Sequence, residues 1–255
     1  ITEGPYKGEW VEEPEAESIS AWGSLVGNSD VAGMIVLANE VDRLGVDTNE
    51  AGWVVAMCLE AYERGILTPA DTDGLELRWG NVPAIRALLH KIANRQGLGG
   101  ILAEGARLAS QQLGEPWHDM AIYTMKGNTP RSHDHRVRWI EMFDTLVSST
   151  GTLECDVVVR GDQIGVPPIK NGFDAEQVSS FIAKSKGSFQ FVDSLGTCKF
   201  INRTVPPLLT EMLNAATGWD FTWVEAMNVG RRAVNLFRAF NVRRGITAGV
   251  EFPSP

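Results

Sequence analysis

Apolar residues recur at helical spacing along most of the chain. From Asp30 they fall at Val31, Met34, Ile35, Ala38, Val41 and Leu44, which share one face of an α-helix. Ser29 or Asp30 supplies a cap at its start and Gly45 a stop at its end. A second helix is predicted to begin after Asp47–Thr48. Its middle, WVVAMCLEAY, is apolar on most faces, the mark of a buried helix. Cys58 within it is expected to be an inert core residue. The same reading predicts helices over 82–95, 98–113, 136–148, 174–194, 205–216 and 221–241. Strand signals are few and short, mainly at 155–159. The first 20 residues, ITEGPYKGEWVEEPEAESIS, mix glycine, proline and acids, and are expected to be irregular. The segment 117–131 carries short β-prone and loop-like pieces and ends in the turn-rich KGNTPR. It is taken as the boundary between two helical domains, 1–125 and 126–255. The expected fold class is mainly α.

One internal echo stands out. Asp42-Arg-Leu-Gly45-Val-Asp47 and Asp193-Ser-Leu-Gly196-Thr-Cys198 share the pattern D-x-L-G-x-[D/C], and each follows an amphipathic helix. A helix that ends in a left-handed glycine turns the chain sharply and leaves backbone groups facing a small hollow. An aspartate one turn earlier can face that hollow. Its two oxygens can accept paired N–H donors from a flat heterocycle, such as the amino-pyrimidine edge of a pterin. Either copy alone reads more simply as a helix C-terminus. Two copies, one in each half, point to a paired ligand site.

Charge and cysteine content narrow the classes. The chain has 255 residues, 44% of them apolar and 22% charged, an ordinary globular composition. A formal charge of −9 argues against a nucleic-acid or anionic-membrane surface, which carries basic runs. No apolar run reaches the roughly 18 residues of a membrane span, and no signal peptide is recognisable. Three cysteines, Cys58, Cys155 and Cys198, form neither a disulfide framework nor a CxxC pair. A reducing, cytoplasmic setting is expected.

Other chemistry-bearing residues are sparse. The run RSHDHR sets His133 and His135, with two guanidiniums, around Asp134, a polar density suited to an active-site edge. A salt-bridged helix cap built on Asp134 would explain the same residues. His90 and His118 read as ordinary helix-face and loop residues. Arg243 and Arg244 complement a helix C-terminus. A mononuclear hydrolase site from Asp42, Asp47, His133, Asp134 and His135 matches no familiar ligand spacing.

The two D-x-L-G-x-[D/C] elements resemble the paired pterin-binding motifs of the tungsten-containing aldehyde ferredoxin oxidoreductase family. VDRLGVDTNEAGWVVAMCLEAYERG, GLGGILAEGARLAS, KGNTPRSHDHR and FNVRRGIT also look like segments of that family, in order. EGPYKGEWVEEPEAESISAWGS is similar to its Gly-Pro-Glu-Tyr-Glu segment, with an insertion and with Ala16 in place of the aromatic. The resemblance runs from about Glu3 to the C-terminus. It implies two helical domains like the family's C-terminal ones. The family's N-terminal β domain and the C-x-x-C-x-x-x-C element that supplies three further cluster cysteines have no counterpart here. The chain is therefore expected to be part of a longer enzyme.

The resemblance also implies a bis-pterin cofactor carrying tungsten or molybdenum. Asp42, Gly45 and Asp47 would hold one pterin, and Asp193 and Gly196 the other. Cys198 would ligate a [4Fe–4S] cluster, for which thiolate is the required donor. Glu17 matches the family's second glutamate in the Glu-Tyr-Glu run and becomes the first candidate for proton transfer, as against a solvated acid of the segment 12–17. His133 and His135 are the second. The implied reaction oxidises aldehydes to carboxylic acids, with ferredoxin or a similar electron-transfer partner. The HDHR form looks closer to the branch that contains the tungsten subunit of benzoyl-CoA reductase, so aryl-CoA reduction is the alternative substrate class. A homodimer or a larger complex is implied. A non-catalytic helical scaffold is the reading from another class.

Overall fold

Asp30 and Asp47 start the two longest helices of the N-terminal half, and each does so through its own carboxylate. Asp30 accepts from the Ala32 amide at 3.1 Å and Asp47 from the Glu50 amide at 2.7 Å, which satisfies donors that a helix start otherwise leaves open. A computed structural model of the chain describes residues 1–151, 153, 154, 166–198 and 206–254. It divides into two compact units, Ile1–His133 with Pro253–Pro255, and Asp134–Phe252. The fold is mainly α, and the described residues contain no strand beyond an isolated bridge between Thr124 and Pro253. The predicted strand at 155–159 lies outside the described residues.

Unit 1 contains α1 (Ala16–Trp22), α2 (Val31–Leu44), α3 (Thr48–Glu63), α4 (Val82–Ala93), α5 (Leu98–Leu102) and α6 (Gly105–Leu113). Helix α3 is central. Val55, Cys58, Leu59 and Ala61 are fully buried on it, against Trp22, Leu37, Val41, Leu77, Ile85 and Leu89. Cys58 is thus a core residue, as expected, and burial pushes its thiol up to about 12.

Two expectations for this unit are corrected. The first 20 residues are not wholly irregular, because α1 begins at Ala16. Seven residues without a side-chain cap do not make a helix alone; burial does it here. Ala21 and Trp22 are fully buried, Trp22 Nε1 donates to Thr48 Oγ1 at 2.9 Å, and a Cβ on Gly52 would sit 3.2 Å from the Ala21 Cβ. The stretch before α1 is pinned as well. Asn39 bonds the Glu12 backbone in both directions, and Arg86 bridges Glu9 and Glu40. Nor does 98–113 form one helix. It breaks at Ala103 and Glu104, just before Gly105, whose φ is +83° and whose neighbouring amide, that of Ala106, donates to Glu50 Oε1 at 2.7 Å.

Unit 2 contains α7 (Trp139–Val147), α8 (Ala175–Ser185), α9 (Ser188–Ser194), α10 (Pro206–Thr217) and α11 (Trp223–Arg243). Helix α11 opens on a full capping box, Thr222 with Glu225. The predicted helix 174–194 is two helices. Gly187, at φ +101°, interrupts it where the backbone presses on α11. A Cβ on Gly230 would meet the Gly187 carbonyl oxygen at 1.8 Å, so only glycine fits there. Phe191, Val192, Leu209 and Ala226 form the core of this contact. Buried Asp144 and Glu154 face Lys186, whose Nζ lies 3.6 and 2.5 Å from them.

Candidate functional site

The first D-x-L-G-x-[D/C] element closes α2 with paired hydrogen bonds. The Gly45 amide donates to the Asp42 carbonyl at 3.1 Å and the Val46 amide to the Val41 carbonyl at 3.2 Å. This is a Schellman turn, and it needs the left-handed residue that Gly45 supplies at φ 67°. Asp47 then caps α3. Its carboxylate is committed to the helix start, whereas Asp42 points to solvent.

The second element ends α9 in the same way. The Gly196 amide donates to the Asp193 carbonyl at 3.0 Å, with Gly196 at φ +66°. The Thr197 hydroxyl donates to the Val192 carbonyl at 3.3 Å, the oxygen equivalent to that of Val41 in the first turn. Asp193 and Cys198 are exposed, and Cys198 is a free thiol.

The two turns share a chemical character. At both glycines nothing among the described residues lies within 4 Å of where a Cβ would stand, so a flat group can approach the backbone. The carboxylates of Asp42 and Asp193 have no hydrogen-bond or ion-pair partner among the described residues. A helix C-terminus presents carbonyl oxygens and the negative end of its dipole. Together with a carboxylate this is an acceptor-rich surface, which suits an N–H-rich heterocycle and repels an anion. These residues therefore fit a pterin edge, and the exposed thiol of Cys198 fits a metal cluster. Among the described residues no group of three or more His, Cys, Asp and Glu side chains is placed to hold a metal ion.

Glu17 lies on α1 and forms an ion pair with Arg131, Oε1 to Nη2 2.9 Å, each side chain 17% exposed. The segment 129–132 reaches α1 and α3 by three more bonds. Ser20 Oγ donates to the Ser132 carbonyl at 2.9 Å, Trp53 Nε1 to the Pro130 carbonyl at 2.7 Å, and the Thr129 amide to Glu50 Oε2 at 3.1 Å.

The RSHDHR run is organised differently from its sequence reading. Arg131 pairs with Glu17, and Asp134 is held by Arg136 alone of the two guanidiniums, at 2.9 and 2.8 Å from Nε and Nη2. Hydrogen bonds from Arg136, side chain first and then backbone, hold the Asp134 carboxyl well below the usual range, at about 2. Asp134 caps no helix, because α7 starts at Trp139 with Arg138 before it. His133 belongs to unit 1 and His135 to unit 2. His135 Nε2 stands 4.0 Å from buried Glu141.

Unit 1 thus holds Glu17, Asp42, Gly45, Asp47 and His133; unit 2 holds His135, Asp193, Gly196 and Cys198. Sequence reasoning missed two residues. Arg131 was assigned to the wrong partner. Glu50 stands three residues after Asp47, where a capping-box glutamate would turn back to its own helix start, yet its oxygens take the amides of Ala106 and Thr129.

The family model of aldehyde ferredoxin oxidoreductase, domains 2 and 3, matches residues 1–252. The chain belongs to the aldehyde ferredoxin oxidoreductase family. Individual relatives match over most of this chain and over part of their own length. The chain is 31% identical over 241 residues to the tungsten-containing aldehyde ferredoxin oxidoreductase of Pyrococcus furiosus, covering 92% of this chain and 39% of that protein. It is 30% identical over 242 residues to the aliphatic sulfonate oxidoreductase, WOR-like subunit, of the same organism, covering 92% and 36%. The chain thus spans about two fifths of the length of these relatives. Among solved structures, the active-site complex BamBC of benzoyl coenzyme A reductase with 1,5-dienoyl-CoA superposes with a TM-score of 0.73. That match has 21% identity and covers 93% of this chain and 42% of that one. At that identity the likeness is one of fold.

Proposed function

We propose that this chain is the pterin-gripping part of a tungsten or molybdenum oxidoreductase that oxidises aldehydes to carboxylic acids and passes electrons to ferredoxin or a similar protein. The observation that carries the reading is the pair of glycine-ended helices, at φ 67° and 66°, each with an aspartate one turn back that has no partner among the described residues. Relatives named as tungsten-containing aldehyde ferredoxin oxidoreductases support it. When bound, the metal–pterin group supplies two-electron chemistry and an adjacent [4Fe–4S] cluster the one-electron path.

The chain's own residues have defined tasks. Asp42 and Asp193 would hold the pterins, their carboxylates serving as acceptors for pterin N–H groups. Gly45 and Gly196 would leave room for the ring beside the backbone. Asp47 holds the start of α3 and so fixes the turn in which Asp42 sits. Cys198 would supply one thiolate ligand to the cluster. Glu17 carries a proton to or from the reacting carbonyl carbon's oxygen, with His133 and His135 as the alternative carriers.

Metal and pterin analysis of the purified full-length protein tests this. Tungsten or molybdenum with two pterins per chain is expected; absence of metal and pterin ends the proposal. A panel of aldehydes assayed against benzoyl-CoA with a viologen dye then separates the two substrate classes. Turnover of the thioester without aldehyde oxidation would move the chain to aryl-CoA reduction, the class to which the HDHR run points.

A further inference from the structure

We propose that Arg131 is a positioning residue for the Glu17 carboxylate, and so a further part of the catalytic apparatus; this rests on the reading of Glu17 as a proton carrier. Glu17 and Ser20 are three residues apart and share a face of α1. That face meets Arg131 through its side chain and Ser132 through its carbonyl.

The backbone around Arg131 does not depend on the guanidinium. Ser20 holds the carbonyl after it, Trp53 the carbonyl before it, and Glu50 the amide of Thr129. With the loop anchored at three points, the Arg131 side chain is delivered to Glu17 from a fixed base. Its planar fork then limits the directions the carboxylate can take.

A second observation concerns the cost of keeping it there. The Arg131 Nε–H is buried and has no hydrogen-bond partner among the described residues. Burying a donor without a partner is unfavourable, and such a group in a native structure calls for a reason beyond packing. A loop already tied by three hydrogen bonds gains little from a fourth strap that brings an unsatisfied donor with it. Holding Glu17 in one rotamer supplies the reason. A displacement of about 1 Å in a proton-carrying group is worth on the order of a hundredfold in rate.

The test uses full-length, metal-loaded enzyme and the variants Arg131→Gln, Arg131→Lys and Glu17→Gln, assayed on the best aldehyde of the panel. Arg131→Gln is expected to lower kcat ten- to a hundredfold while KM changes less than threefold, and Arg131→Lys to restore part of the loss. In the Glu17→Gln background the Arg131→Gln change is expected to add less than threefold. Tungsten per chain and hydrogen exchange at the Thr129 amide are expected to match the parent. Equal losses in both backgrounds, an unchanged kcat, or faster exchange at Thr129 would make Arg131 a bystander or a strap and overturn the proposal. If Arg131→Gln does not fold, Arg131→Lys decides alone, by whether kcat falls with KM and exchange held. A fully active Glu17→Gln enzyme removes the proton role and this proposal together; an active Arg131→Gln beside an inactive Glu17→Gln removes only the latter inference.

Discussion

Cys58 and Cys198 carry the same thiol in opposite surroundings. Cys58 is fully buried and its thiol is raised to about 12, while Cys198 is exposed. At pH 8 the buried thiol is ionised to about one part in ten thousand. Iodoacetamide is therefore expected to alkylate Cys198 and spare Cys58 in the folded, cluster-free chain, as read by peptide mass spectrometry. Labelling of Cys58 without denaturant would contradict its core placement. The same shift has a stability consequence. The unfolded chain releases the Cys58 proton near pH 9 and the folded chain holds it to about 12. Folding therefore keeps the full contribution of this group below pH ~9 and loses it progressively as pH rises through that window. Gly45 and Gly196 make a matching pair. Each holds a positive φ with nothing among the described residues near the missing Cβ, so alanine there meets backbone strain and no clash with them. A loss of about 1–2 kcal/mol per site is expected from thermal unfolding. A loss well above that would point to contacts other than the backbone. At this scale the sequence was legible wherever the deciding interaction is local. Asp30, Asp47, Gly45 and Gly196 act within a few residues of themselves.

Helix boundaries follow the same division. Starts and stops marked by a cap or a terminal glycine were anticipated closely, as for α2 and α3. The breaks within 98–113 and 174–194 were not, because a glycine inside a helical pattern is ambiguous until its neighbour is known. Gly105 gives way to Glu50, and Gly187 to the backbone of α11. Helix α9 carries the second turn, so its seat on α11 matters for Cys198. Gly230→Ala would place a Cβ 1.8 Å from the Gly187 carbonyl oxygen. Overpacking of this kind is expected to cost roughly 3 kcal/mol and to loosen α9. In full-length enzyme the cluster signal in electron paramagnetic resonance should weaken with the lowered melting temperature. A variant with unchanged stability would show that the two helices do not meet as described. Glu50→Ala tests the corresponding tie in unit 1. It strands the amides of Ala106 and Thr129, and about 2 kcal/mol of destabilisation is expected. Parent-like denaturant unfolding would dismiss it.

For the whole molecule the cysteine count sets a bound. A cluster of four irons held by cysteine needs four thiolates, and this chain has three cysteines, one of them buried in the core. Reconstituted anaerobically by itself, the 255-residue chain is expected to form no stable [4Fe–4S] spectrum. The full-length enzyme should form one, and Cys198→Ser should abolish or degrade it. A four-iron spectrum from the chain alone, or an intact signal in the serine variant, would remove Cys198 from the ligand set.

The sequence by itself determined the helical class, most helix starts and ends, the burial of Cys58 and the two glycine-ended turns. These depend on periodicity, caps and left-handed glycines, which are read within one or two turns of chain. The tertiary structure alone decided the partners. Glu50 reaches amides 56 and 79 positions away, and Ser20 a carbonyl 112 positions away. Arg131 turned from its near neighbour Asp134 to distant Glu17. A charged side chain can pair with any opposite charge the fold brings near, and only the packing of α1 and α3 against the 129–132 segment selects which.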